Sequence, residues 1–412
     1  MLTHFTPELP NLLCPVSLII DDSAPIYADR LSPEAVAQRQ AAGQEVDWWT
    51  FFDHLLALFD RYGVHGKFTV LPYHAEYGFA DKLKSPVRRR QLREFVSVVQ
   101  ERMIPRFDIA PEIVSHDVVI NPDTDQPLGV EEREHVWSQT QNEETLTKYI
   151  ARALQALKKI GLPANGVTSP CDFGSRNEGN YARAIHGAMK AVGGPGLTWY
   201  FLHCESYHYH EPRLMWLDAE AGEAVVSVAG ASGISDMGLT ARFGKDVAAI
   251  VDEHITAEGE GGLLPRMIAD RSYIVMYNHW WSLIDRGRET GLEVLEGMLP
   301  RLKKHYGAQM QWMQCSDIAR YYAATRACQI CAVENGRGVT VRLHSPFACP
   351  DSTFSFRATR PVETIKAGEV RLKKTTRPGR LDTGCWRQEE GTVWVSLDVA
   401  RQTDLEAVGC PS

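Results

Sequence analysis

Through roughly the first 325 residues, short runs of consecutive apolar residues alternate with longer segments in which apolar residues recur every three or four positions. A run of four to six apolar residues bounded by turn formers predicts a strand buried on both faces, and the longer recurrence predicts a helix. Strands are expected at 16–21, 66–71, 111–115, 165–169, 197–203, 224–229, 272–278 and 309–313. Between the first two lies Trp48-Trp49-Thr50-Phe51-Phe52-Asp53-His54-Leu55-Leu56-Ala57-Leu58-Phe59, patterned as a helix with a broad buried face. Further helices are expected at 86–103, 143–160, 177–191, 244–257 and 288–305, the fourth after a Gly-rich stretch at 230–238 that reads as a mobile loop. Such alternation predicts βα units around a parallel sheet or barrel.

After about residue 327 the period changes. Val339–Leu343, Phe354–Arg357, Val370–Leu372 and Val393–Leu397 alternate in polarity and are separated by Pro/Gly turns, the pattern of antiparallel strands with one wet face. Two units are therefore expected: a distorted (β/α) barrel of about seven strands over 1–326, and a small antiparallel β-sandwich-like unit over 327–412.

Composition narrows the partners. A formal charge of −8 and the lack of a basic stripe disfavour nucleic acid and anionic membranes, and no apolar stretch reaches transmembrane length. Nine cysteines, an odd number spread from Cys14 to Cys410, do not resemble a disulfide framework. The opening residues lack a basic segment followed by an apolar one, so a cytoplasmic chain is expected, although a mature secreted chain would read the same. Oligomeric state is not legible.

The chemistry sits at the strand ends, which in a parallel barrel open on one face. The first strand stops in Asp21-Asp22, Glu112-Ile113-Val114-Ser115-His116 carries a histidine, Thr168-Ser169-Pro170-Cys171-Asp172 forms a rigid turn, and Tyr277-Asn278-His279-Trp280-Trp281 ends in a second histidine. Adjacent strand residues point in opposite senses, so Asp21 and Asp22 can hold different roles, one on a divalent metal and one as a base.

The order of these segments resembles the NodB-type polysaccharide deacetylases, carbohydrate esterase family four, whose catalytic domain is a distorted (β/α) barrel. Ile20-Asp21-Asp22 is similar to the acid pair after the family's first strand, Gly66-Lys67-Phe68-Thr69-Val70 to its second strand, and Ser115-His116 to the start of its metal motif. The resemblance implies a metal-dependent hydrolase that removes an acetyl group from an N-acetylated sugar or polysaccharide. It implies Asp22 and His116 as ligands of a zinc-class divalent ion, Asp21 as the base, His279 as the acid that protonates the leaving amine, and a backbone N–H near Cys171 beside the oxyanion. The family's second ligand histidine falls at Ile120 here, so either Asn121 or, as the better transition-metal ligand, His135 completes the set. Thr168 stands where an arginine would orient the base, and Tyr277 where a leucine precedes the late histidine.

Trp280, Trp281, Tyr277, Trp137, Asp172 and His208, the last within His203–His210, are candidates to line a carbohydrate cleft. Cys328-x-x-Cys331 has zinc-ribbon spacing without a second pair, unless Cys315 and Cys349 complete it. Two other readings stay open. One is a glycoside hydrolase on a related barrel, with Glu112, Asp172 or Asp236 partnering the acid pair; the other is a catalytically silent carbohydrate-binding protein.

Overall fold

The computed structural model describes residues 5–22, 27–206, 208–237, 244–284, 288–335, 338–358 and 361–409. Tyr207, Gly238 and Cys410, each within a segment noted above, lie outside them.

Seven parallel strands close into a ring: β1 (Cys14–Asp21), β2 (Gly66–Thr69), β3 (Phe107–Ala110), β4 (Gly166–Thr168), β5 (Leu197–Phe201), β6 (Glu223–Ser227) and β7 (Ile274–His279). β5 continues into Cys204–Glu205 and β6 into Gly230–Ser235, and this second part of β6 pairs with β7 to complete the circuit. β7 and β1 pair from Ile274↔Val16 to His279↔Asp21, which sets His279 level with the acid pair. The ring is weakest between β3 and β4, joined by the Glu112↔Thr168 bridge, and this is the distortion of the barrel. Every residue of β1 is buried, as its unbroken apolar run requires. Gly66 is needed where β2 starts, because a Cβ there would sit 1.8 Å from the carbonyl oxygen of Leu18.

The helix Trp48–Tyr62 is capped by Asp47, which accepts from the N–H groups of Trp49 and Thr50, and it ends at Gly63 in the left-handed conformation. It buries Trp49, Phe51, Phe52, Leu55, Leu56 and Phe59 against the barrel. Among the described residues no helix is long and apolar enough to cross a membrane.

Three expectations change. The third strand lies at Phe107–Ala110 rather than 111–115: Pro111 ends it, and Ile113, at φ 45°, is already turning. Gly230–Ser235 is a barrel strand and not a loop; its small residues let it approach β5, where a Cβ on Gly230 would meet the Phe201 ring at 3.0 Å. The expected eighth strand, Met310–Trp312, pairs only with the first residues of β1 and stays out of the ring.

The C-terminal unit is two sheets, antiparallel except where Lys373–Lys374 pairs in parallel with Cys385–Trp386, around Val341, Leu343, Phe354, Phe356, Trp386, Val393, Val395 and Leu405. One sheet takes its edge strand from the other end of the chain, with Phe5–Pro7 pairing Phe354–Phe356. Residues 5–7 thus belong structurally to the unit expected at 327–412.

Candidate metal and acid–base centre

The carboxyl ends of β1, β3, β4, β6 and β7 converge at the barrel mouth. Five residues there hold positive φ without being glycine: Asp22 (50°), Ile113 (45°), His116 (67°), Cys171 (50°) and Asp236 (45°). Such backbone is unfavourable for residues with a Cβ, most of all for β-branched Ile113, and it persists only where surrounding contacts enforce it.

Asp21 and Asp22 part ways. Asp21 points into the barrel, 2% exposed, where Oδ1 forms an ion pair with Lys67 and accepts from the Thr69 hydroxyl. Lys67 is wholly buried and donates to Thr69 (3.0 Å) and Thr168 (2.6 Å) as well, so all three of its protons are used. Lys67 thus places a cation beside Asp21, next to Thr168, where the sequence lacks an arginine. It was legible: Lys67 and Thr69 share one face of an otherwise apolar strand.

Asp22 turns to the rim. Its N–H donates to Oε2 of Glu112 (3.0 Å), and its Oδ2 accepts from the Trp281 indole (3.0 Å). Nε2 of His116 lies 3.2 Å from Oε1 of Glu112 and 3.3 Å from Oδ1 of Asp22. Donor atoms of Asp22, Glu112 and His116 fall within 4.8 Å of one another, and among the described residues they are the one His/Cys/Asp/Glu set so arranged. Burial drives the Glu112 carboxyl above its usual range; the hydrogen bond from His116 opposes this, and the charges of Asp21 and Asp22 add to it. The bond to Glu112, against the cost of burial and with the fields of Glu112, Asp22 and Glu134, raises His116 to about 9.

Glu134 holds the His116 loop in shape. Wholly buried, it accepts from the consecutive N–H groups of Val114, Ser115 and His116 and from the Tyr149 hydroxyl. Burial outweighs these four bonds and raises its carboxyl to about 7.

On the opposite side, His279 is fixed by Asp236, which accepts from its backbone N–H (3.0 Å) and pairs with its Nδ1 (2.8 Å). Nε2 then meets the Tyr277 hydroxyl at 2.6 Å and lies 4.0 Å from Oδ2 of Asp22. Burial works against charging the imidazole, but Asp236, Asp22 and Asp21 outweigh it and raise its pKa. Trp281 stacks on this ring, centroids 5.0 Å apart and planes 20° apart.

The structure therefore gathers Asp21, Asp22, His116, Tyr277, His279 and Trp281. Cys171 stands at the edge, exposed, with its thiol pushed up by burial and by Asp172, Glu112 and Asp22. The remaining candidates fall elsewhere. His135, on the short helix Glu134–Ser138, is not in the three-donor set; it is Glu134 beside it that reaches the site loop. Asn121 caps a turn by accepting from the N–H groups of Asp123 and Thr124. Trp280 is buried among Phe51, Phe52 and Phe68. His208 pairs with Asp270, just ahead of the start of β7, because the chain after Glu205 runs back down the barrel wall. Trp137 and Asp172 line a separate cavity with His135. Cys315 and Cys349 are buried while Cys331 is exposed, and no cysteine joins a three-donor set among the described residues. The sequence marks Glu112 and Asp236 only as glycosidase partners; an acid just past the buried run Phe107–Ala110 and another just past Gly230–Ser235 are the signals that put them at the mouth.

A scan against known protein families finds no match, and a search of curated proteins finds none. Solved structures with some likeness include a protein provisionally described as a glycoside hydrolase/deacetylase from Parabacteroides distasonis, at 10% identity over 84% of this chain and 80% of that one, TM-score 0.38. Another is the exo-β-1,4-mannosidase Op5Man5 from Opitutaceae bacterium strain TAV5, at 12% over 71% and 60%, TM-score 0.36. A third is a glycoside hydrolase family 30 subfamily 8 xylanase from Clostridium acetobutylicum, at 10% over 87% and 92%, TM-score 0.31. These values are too low to assign a family or an activity.

Proposed function

We propose that the chain is a metal-dependent hydrolase that removes an acyl group from an N-acylated sugar or polysaccharide. The observation that carries this reading is the convergence of Asp22, Glu112 and His116 beside the Asp236–His279 pair. Two carboxylates and one imidazole are the donors a zinc- or manganese-class ion takes, and three protein donors leave room for water and substrate. Such an ion, when bound, polarises the acyl carbonyl and lowers the pKa of water toward about 7.

The remaining work falls to the chain. Asp236 holds Nδ1 of His279, which sets Nε2 against the Tyr277 hydroxyl (2.6 Å) and 4.0 Å from Asp22, placed to take the proton of the attacking water, directly or through that hydroxyl, and return it to the leaving amine. Asp21, buried and bonded to Lys67 and Thr69, acts here as the fixed charge beneath the centre rather than as a mobile base. Trp281 offers an aromatic face at the rim for a sugar ring. The sugar as substrate rests on the sequence resemblance.

The test is metal content followed by product analysis. Asp22→Ala is expected to lose stoichiometric metal, and the wild-type protein to release acetate from an N-acetylated oligosaccharide. Full retention of metal by that variant ends the proposal. A second reading has its own support: Asp22 and Glu112 bring two carboxylates to one point of the barrel mouth, where both approach Nε2 of His116 (3.3 and 3.2 Å), and a pair of acids is what a glycosidase uses. New reducing ends without acetate, in metal-free protein, would favour it.

A further inference from the structure

Behind the loop that carries His116 lies a cavity of about 230 Å³ between the helix Glu134–Ser138 and the turn after β4. Its walls include His135, Trp137, Thr140, Glu132, Asp172 and Arg176. Glu134 holds the N–H groups of Val114, Ser115 and His116, and the next residue, His135, is on the cavity wall, which places the cavity beside the loop that carries His116 of the three-donor set.

Gln139 fixes the walls relative to each other. Its Nε2 donates to the carbonyls of His135 (3.0 Å) and Asp172 (2.5 Å), and its Oε1 accepts from the N–H of Arg176 (2.9 Å). Trp137 is braced from behind by Tyr149, ring centroids 4.8 Å apart. Nδ1 of His135 is buried without a protein hydrogen-bond partner. The side chains of Glu132, Asp172 and Arg176 form no ion pair among the described residues, although carboxylate and guanidinium border the same space.

We infer that this cavity is a binding subsite for one neutral sugar residue of a saccharide chain whose neighbouring residue lies at the Asp22–Glu112–His116 centre. The inference rests on the proposed action on carbohydrate and adds the charge class of the substrate. A volume below the ~300 Å³ of the smallest drug-sized pockets has room for a single ring. An aromatic wall with acceptors at Asp172 and Glu132 and donors at Arg176 and His135 suits a face of C–H groups rimmed by hydroxyls. Two carboxylates against one guanidinium disfavour a uronic acid or a phosphorylated sugar, whose charge would meet like charge.

Isothermal titration of metal-free protein with tetra-N-acetylchitotetraose and with tetragalacturonate tests this without requiring turnover. The neutral tetrasaccharide is expected to bind and the anionic one not. Arg176→Ala and Asp172→Ala are each expected to weaken binding about tenfold or more, the effect of one charge-assisted hydrogen bond. Both side chains are exposed, so the variants should keep the wild-type melting temperature, and they should keep metal at the Asp22 centre. Unchanged affinity in both variants, tighter binding of tetragalacturonate, or no binding of the neutral probe overturns the subsite. Loss of metal in Asp22→Ala stands or falls independently, so failure here is told apart from failure of the hydrolase reading.

Discussion

Lys67→Met is the perturbation that most directly probes how the barrel carries charge. Lys67 and Asp21 are 0% and 2% exposed, and the ammonium makes its three bonds to Asp21, Thr69 and Thr168. Removing one partner of a buried pair strands the other charge in a poorly solvated interior, and losses of about 3–5 kcal/mol are usual. The two threonine hydroxyls also lose a charged partner, so the upper half of that range is expected. Replacing both ions removes the uncompensated charge, and Asp21→Asn with Lys67→Met should recover most of the stability lost in the single variant. Urea unfolding of the barrel, followed by tryptophan fluorescence and far-UV circular dichroism, supplies both free energies. A cost below about 1 kcal/mol for Lys67→Met, or a double variant no better than the single, would refute the closed pair and return Asp21 to the role of a free base.

Glu134→Gln swaps one acceptor oxygen for a donor facing the N–H groups of Val114, Ser115 and His116, so metal affinity should fall about 10–100-fold, as for other supports of ligand loops; equal affinity measured by competition with a chelator would exclude the positioning role. His279→Ala should lower turnover by about two to four orders of magnitude with metal retained, and Asp236→Asn should give a smaller loss with a shifted pH profile, both read in steady-state acetate release. His254, 5% exposed with both ring nitrogens unpartnered, has its pKa lowered by burial to about 4. Its stabilising contribution is complete above the unfolded value near 6.5 and is lost as pH falls toward 4, by about 3 kcal/mol in all. His254→Gln should lack that slope, and parallel stability curves for the two proteins between pH 7 and pH 4 would contradict it.

Much of the barrel was legible because a parallel strand covered on both faces must be apolar throughout, and runs such as Val16–Ile20 and Ile274–Met276 meet that demand over a length too short for a helix. The same rule misled at 111–115. Ile113 and Val114 are apolar because they are buried beneath the excursion that follows, not because they are extended, and tertiary packing overrides their β propensity. The ends of β1 and β7 bring Asp22 and His279 to the mouth as the local pattern implies, whereas His116 reaches it from the turn after β3 and not from a strand end. Which side chain closes the donor set does not follow from local pattern. Imidazole chemistry favoured His135, yet the helix that begins at Glu134 turns Glu134 into the site loop, while the Glu112↔Thr168 bridge brings Glu112 to the rim. That depends on a contact between segments more than fifty residues apart.

The strand Phe5–Pro7, seated on Phe354–Phe356, has a consequence for how the chain is assembled. Phe5–Pro7 lead within a few residues into β1, the strand paired with both β2 and β7, yet their own partner is made some 350 residues later. Until then the N-terminal segment offers unpaired N–H and C=O groups to any extended chain nearby, and the C-terminal sheet, when it emerges, lacks its edge. Strand capture thus joins Phe5–Pro7 to Phe354–Phe356 in a late step of high contact order, after which neither unit can be cut from the other without leaving an open sheet edge.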